Sequence, residues 1–172
     1  MDDTRQRLLD RVIVEAAANG LADRSLRDIA AAVGSSHRML HYHFGSRAGL
    51  VTAIVHQVEA NQRALLAELA LTATDPADLV LALWARLSTP AMMPYVRLFF
   101  ECVAATAGSG LTDPWLRSGR SVATAIGADV DLVDLQLGVA VIRGLLIDVL
   151  AGGDAGPSTA ALHRFVAMWR PG

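Results

Sequence analysis

Between residues 24 and 50 the chain gathers side chains that hold phosphate and read base edges. Arg24, Arg27, Arg38 and Arg47 stand there against a single acid, Asp28, with His37, His41, Tyr42 and His43 among them. A guanidinium grips phosphate with paired N–H groups and bridges guanine O6 and N7. The formal net charge of −2 hides this clustering, because residues 51–172 carry more acid than base. A basic end on an otherwise acidic body suits a protein that meets a polyanion with one end only. All 15 residues counted as Lys+Arg are arginine.

Other chemistries find less support. His37 and His41 are four apart on one helix face, a metal-ligand spacing, but no Cys, Asp or Glu stands near to complete a site, so no metal and no cofactor are expected. Cys102 is the single cysteine, which excludes an internal disulfide and the paired-thiol motifs. Beside Glu101 in an apolar stretch, it reads as a core thiol. The chain has no Gly-x-Ser-x-Gly, no phosphate-binding glycine loop and no His-Glu-x-x-His, so an enzyme is not expected. Met1–Asp10 is too polar for a signal peptide. Charges such as Asp134, Arg143 and Asp148 are expected to break the apolar runs before they reach membrane-span length. A reduced, cytoplasmic setting without membrane contact follows.

Helical spacing and helix breaks position these residues. Leu8, Leu9, Val12, Ile13, Ala16 and Ala17 make one face of a first helix that stops at Asn19-Gly20. Ser25 caps a second over about Leu26–Val33, with Asp28 completing a capping box, and Gly34 ends it in left-handed geometry. Ser36 caps a third near His37–Phe44, and Ser46 a long fourth through about Ala70. Asp75-Pro76 opens a fifth helix, Tyr95–Ala107 forms a sixth, and Asp113-Pro114 opens a seventh. Asp131 caps an eighth, and Pro157-Ser158 starts a ninth. With no strand signal the fold class is all-α, about nine helices. Residues 1–48 form a three-helix head, and residues 49–172 a helical body.

Helices two and three meet at a tight turn, as in a helix-turn-helix. Ala30 permits the close crossing, Gly34 the turn, and Leu26, Ile29, Val33, Leu40 and Phe44 seal it. Spacing alone also fits a plain helical hairpin. The string Leu26-Arg27-Asp28-Ile29-Ala30, then Gly34, then Leu40-His41-Tyr42-His43-Phe44-Gly45-Ser46-Arg47 resembles the TetR (AcrR-type) family of transcription regulators. The resemblance covers about residues 5–55. It implies an N-terminal DNA-binding head and a C-terminal domain that binds an effector and dimerises. Ser35, His41 and Gly49 depart from its pattern, which usually has an apolar residue, a tyrosine and a better helix former there.

In a helix-turn-helix the third helix enters the major groove with its N-terminal side chains toward base edges. Arg38 is then the expected base reader, with His37, Met39 and His41 beside it. Ser25 and Arg27, at the start of helix two, suit phosphate. Tyr42 and Arg47 match the family's phosphate-holding aromatic and basic positions. Ser36 and His43 complete the expected contacts, although His43 also fits a half-buried residue bonded to backbone.

In the body, Trp84, Met92, Met93, Tyr95, Phe99, Phe100, Cys102 and Trp115 offer the pliable apolar lining of an effector pocket, or ordinary core packing. Helix eight is apolar almost all round, so more than one of its sides should be covered. Leu132, Leu135, Val139, Ile142 and Leu146, with Leu162, Phe165 and Trp169 of helix nine, are the expected homodimer interface. The alternative is a core helix of the monomer. The functional expectation is a repressor released from a palindromic double-stranded operator by a small, largely apolar effector. A regulator without a small ligand, controlled by a protein partner, is the alternative, and a small helical enzyme ranks last.

Overall fold

The computed structural model describes residues 2–105 and 112–168. Among them lie nine helices and no strand: α1 (Asp2–Asn19), α2 (Leu26–Ala32), α3 (His37–Phe44), α4 (Arg47–Ala70), α5 (Pro76–Leu87), α6 (Met93–Ala105), α7 (Thr112–Ala125), α8 (Leu132–Gly152) and α9 (Gly156–Met168). The expected all-α order is therefore observed. Two starts differ from expectation. Pro94 lies in the first turn of α6, where its missing N–H costs nothing, rather than in a preceding loop. Asp113 and Pro114 likewise fall inside the first turn of α7.

The chain forms two compact units, Met1–Ala60 with Pro94–Ser109, and Asn61–Met93 with Gly110–Gly172. This division falls inside α4, not at residue 48, and it adds most of α6 to the head.

In the first unit, Leu8, Leu9, Val12, Ile13, Ala16 and Ala17 are all buried, the one-sided stripe their spacing demands. The Ser25 hydroxyl accepts from the Asp28 N–H at 3.2 Å, and the Asp28 carboxylate accepts from the Ser25 N–H at 2.9 Å. This reciprocal box satisfies two donors that a helix start leaves open. At the other end of α2, Gly34 has φ 62°. Its N–H donates to Ala31 O at 3.1 Å and that of Ser35 to Ala30 O at 2.8 Å. This paired closure needs a left-handed residue at Gly34 but only a backbone N–H from Ser35, so serine serves there.

Hydrogen bonds from Ser25 hold the exposed Asp28 carboxyl below its ordinary range, with smaller help from Arg24 and Arg27. A depressed folded-state value means the box contributes stability above the unfolded value. That contribution is lost as pH falls through the folded one. An NMR titration should find the Asp28 midpoint below that of a free aspartate, and Ser25→Ala should raise it part of the way back, because the residue-25 backbone N–H still donates. An unshifted midpoint in the unaltered protein would contradict the box.

In the second unit, the Asp75 carboxylate accepts from the Asp78 N–H at 2.9 Å, with Pro76 at the first helical position. The Asp131 carboxylate accepts from Val133 and Asp134 at 2.6 and 3.0 Å. Helix α8 packs against α7 and α9, and α5 against α9. An 18-residue stretch of α8, which has 21 residues, has a mean hydropathy of 1.8, so the helix is long and apolar enough by composition to cross a membrane. This corrects the expectation that charges interrupt every such run: Arg143 and Asp148 are too few. Gly138, Ile142, Leu146 and Val149 form its buried edge, so protein, not lipid, covers that side.

Candidate nucleic-acid interface and ligand cavity

Helix α3 divides cleanly. Leu40 and Phe44 are buried, while His37, Arg38, Met39, His41 and Tyr42 are exposed. The Ser36 hydroxyl accepts from the Met39 N–H at 3.2 Å, so Ser36 caps the helix that carries them. α3 rests on α2, anchored through buried Ile29, Ala30 and Leu40. A short helix held by its buried edge presents its other side as a rigid row. That row carries one guanidinium, two imidazoles, a phenol and a thioether, a set suited to groove edges and phosphate. Arg38 forms no ion pair among the described residues. Ser25 and Arg27 are also exposed, but the Ser25 hydroxyl is already engaged in its cap. His43 is half-buried, and its Nε2 is buried without a hydrogen-bond partner. It lies edge-on to Tyr42 with ring centroids 5.0 Å apart, so it packs behind the row rather than joining it.

Arg47 has a role that spacing did not reveal. Its Nε–H donates to Arg24 O at 2.9 Å and a terminal N–H to Leu21 O at 2.8 Å. The Leu21 N–H donates to Glu101 at 3.4 Å, and Arg24 pairs with Glu15 at 3.0 Å. The α1–α2 loop is thus pinned by α4, α6 and α1. Arg47 positions the head, and only its remaining N–H groups are left for phosphate. Glu101 belongs to the same clamp, a role its place beside Cys102 in the sequence did not suggest.

Gly49 also has a local cause. Gly45 (φ 73°, ψ −53°) centres a γ-turn in which the Ser46 N–H donates to Phe44 O at 2.8 Å. The turn folds the Phe44 carbonyl over the start of α4, onto the point where a Cβ at residue 49 would sit. Glycine is required there by contact, whatever its helix propensity.

The second unit holds a partly open apolar cavity of about 80 Å³ between α5, α7 and α8 and the end of α4. Trp115 lines it; the other expected effector residues do not. Trp84 is buried, and its Nε1–H donates to Thr159 Oγ1 at 2.9 Å, tying α5 to α9. Phe99 and Cys102 are buried in the first unit, and Phe100 stands edge-on to Phe99 at 5.3 Å. Met92, Met93 and Tyr95 are half-buried. Burial, with Glu101 adjacent, pushes the Cys102 thiol up to about 12, so it holds its proton at neutral pH and lacks the thiolate a nucleophile needs.

Leu135, Val139 and Ile142, expected at a dimer interface, line the cavity instead. Leu146 and Leu162 are buried in the monomer, Phe165 packs on the Ala123–Val130 core, and Trp169 lies outside the described residues. Among the described residues of that set only Leu132 is exposed. The signal for the cavity was Trp115, Gly119, Val122 and Ala123, which follow one face of α7, with Ile126 just beyond its end. At Gly119 a Cβ would meet Leu135 Cδ2 at 3.1 Å.

The family model for bacterial regulatory proteins, tetR family, matches residues 8–54. No curated protein matches the sequence. Among solved structures, a TetR-family transcriptional regulator from Pectobacterium atrosepticum is 20% identical, with 100% of this chain and 97% of that one covered and a TM-score of 0.78. A transcriptional regulator from Rhodococcus sp. Rha1 is 21% identical, covering 95% and 94%, with a TM-score of 0.75. The TetR-like regulator LfrR from Mycobacterium smegmatis, solved with proflavine, is 17% identical, covering 95% of each chain, with a TM-score of 0.67. At these identities the likeness is one of fold. The match to the tetR-family model covers residues 8–54, the head, and over the rest of the chain the likeness to these regulators is one of fold.

Proposed function

We propose that the protein is a cytoplasmic, homodimeric repressor that binds a palindromic operator and leaves it when a small, largely apolar molecule enters the second unit. The observation that carries this reading is the exposed row of α3, with Arg38 at its N-terminal end in no ion pair among the described residues. Two heads in a two-fold dimer would insert paired α3 helices about one helical turn apart, near 34–36 Å. The cavity favours a ligand-controlled regulator over one governed by a protein partner. A solved relative in the same fold, LfrR, was obtained with proflavine bound. Coupling of about 1–3 kcal/mol between ligand and operator is the usual scale for such control.

Arg38 and Arg47 supply the experiment. In binding to the duplex upstream of its own coding region, Arg38→Ala should relax discrimination at one base pair per half-site, by about 1–3 kcal/mol. Arg47→Ala should weaken all sequences alike, because it loosens the head. The reading fails if the unaltered protein shows no preference for that duplex over random DNA at moderate salt.

A further inference from the structure

The cavity wall is apolar with two polar exceptions, and these say what fits. Trp115, 8% exposed, lines the cavity, and its Nε1–H is buried with no acceptor. A buried indole N–H ordinarily finds a partner, and leaving it unmade is costly. Trp84, in the same unit, has one in Thr159. The second exception is Asp134, half-buried in the first turn of α8 and also on the cavity wall. Around them stand Leu79, Leu83, Val122, Ile126, Val139 and Ile142.

We propose that the cavity takes a compact, uncharged, largely apolar molecule bearing one carbonyl-type acceptor, which receives the Trp115 Nε1–H bond. The proposal rests on reading the second unit as the effector site. The cavity is partly open, so its roughly 80 Å³ holds the acceptor end of a small molecule while the remainder lies in the mouth. A hydrocarbon of the same shape leaves the indole donor unpaired, and sites that expect a hydrogen bond reject the analogue lacking it. A carboxylate places a second negative charge near Asp134 in apolar surroundings. A cation gains Asp134 but surrenders its hydration and leaves the indole donor unmet.

Four probes of nearly one shape separate these cases: acetophenone, α-methylstyrene, benzoate and benzamidinium. Calorimetric titration of the full chain without DNA should find acetophenone about 5–10-fold tighter than α-methylstyrene, with benzoate and benzamidinium weaker than both. In Trp115→Phe the two neutral probes should bind alike, the retained α-methylstyrene binding showing that the fold survives. Asp134→Asn should raise benzoate binding and leave the neutral probes unchanged. The proposal is overturned if α-methylstyrene equals acetophenone in the unaltered protein, if benzamidinium binds tightest, if none binds, or if the ketone preference survives Trp115→Phe. If Trp115→Phe loses all binding, the order of the four probes on the unaltered protein decides. Because DNA is absent, failure here leaves the operator reading standing. Ketone binding that does not alter operator occupancy would refute the effector reading alone.

Discussion

Gly49→Ala is expected to destabilise the head by about 1–3 kcal/mol, although it replaces the poorer helix former with the better one. Propensity alone gives the opposite sign, a gain of about 1 kcal/mol for alanine in a helix. The added methyl falls on the Phe44 carbonyl oxygen. That carbonyl cannot withdraw freely, because it accepts from the Ser46 N–H in the γ-turn. Phe44 is also the last residue of α3 and one of its two buried anchors. Strain entering at residue 49 therefore reaches the helix that carries Arg38. Urea denaturation should show a lower midpoint at unchanged slope, with weaker DNA binding by the folded fraction. Equal or greater stability than the parent would show that the junction is looser than described.

The second large effect concerns α8. Val133, Leu137 and Ile147 are 72%, 45% and 50% exposed, and Ala140 and Gly144 continue the same exposed side. They recur at spacings of four, three, four and three, the seam by which two helices pack. The two small residues permit close approach, so in the proposed dimer this seam would pack on its own copy across a two-fold axis. Leu137→Glu should leave the monomer folded and weaken the dimer by on the order of 100-fold or more, since an uncompensated buried charge costs about 3–5 kcal/mol. Operator affinity should fall with it. Leu162→Ala should do the reverse. At 0% exposure it opens a core cavity, costing about 2–5 kcal/mol of fold stability. Sedimentation and thermal melting of the two variants separate these outcomes. A Leu137→Glu protein that remains dimeric would move the interface elsewhere.

Residues that act locally were the legible ones. Ser25 with Asp28, Gly34, Ser36, Asp75-Pro76 and Asp131 each satisfy or end a helix terminus through neighbours a few positions away, so sequence order suffices to read them. The exposed row of α3 follows from two buried anchors, Leu40 and Phe44, four apart. The body was less legible because α8 is apolar almost all round. Periodicity then cannot say which side faces inward, and Leu135, Val139 and Ile142, expected at the dimer, turned to the cavity. The cluster of aromatics from Trp84 to Trp115 misled for a related reason: nearness in sequence is not nearness in space. Arg47 matched the family's basic position, but its bonds to Leu21 and Arg24 cross more than twenty residues and no spacing shows them. The Gly49 contact depends on a turn geometry that no residue pattern announces.

Whether α3 helices read DNA in pairs is answered by enriching bound duplexes from a random pool with the full chain at moderate salt. The expected product is an inverted repeat with half-site centres about one helical turn apart, lost or broadened at one position in each half-site by Arg38→Ala. Recovery of no motif, or of a motif that Arg38→Ala leaves unchanged, would contradict paired reading by α3.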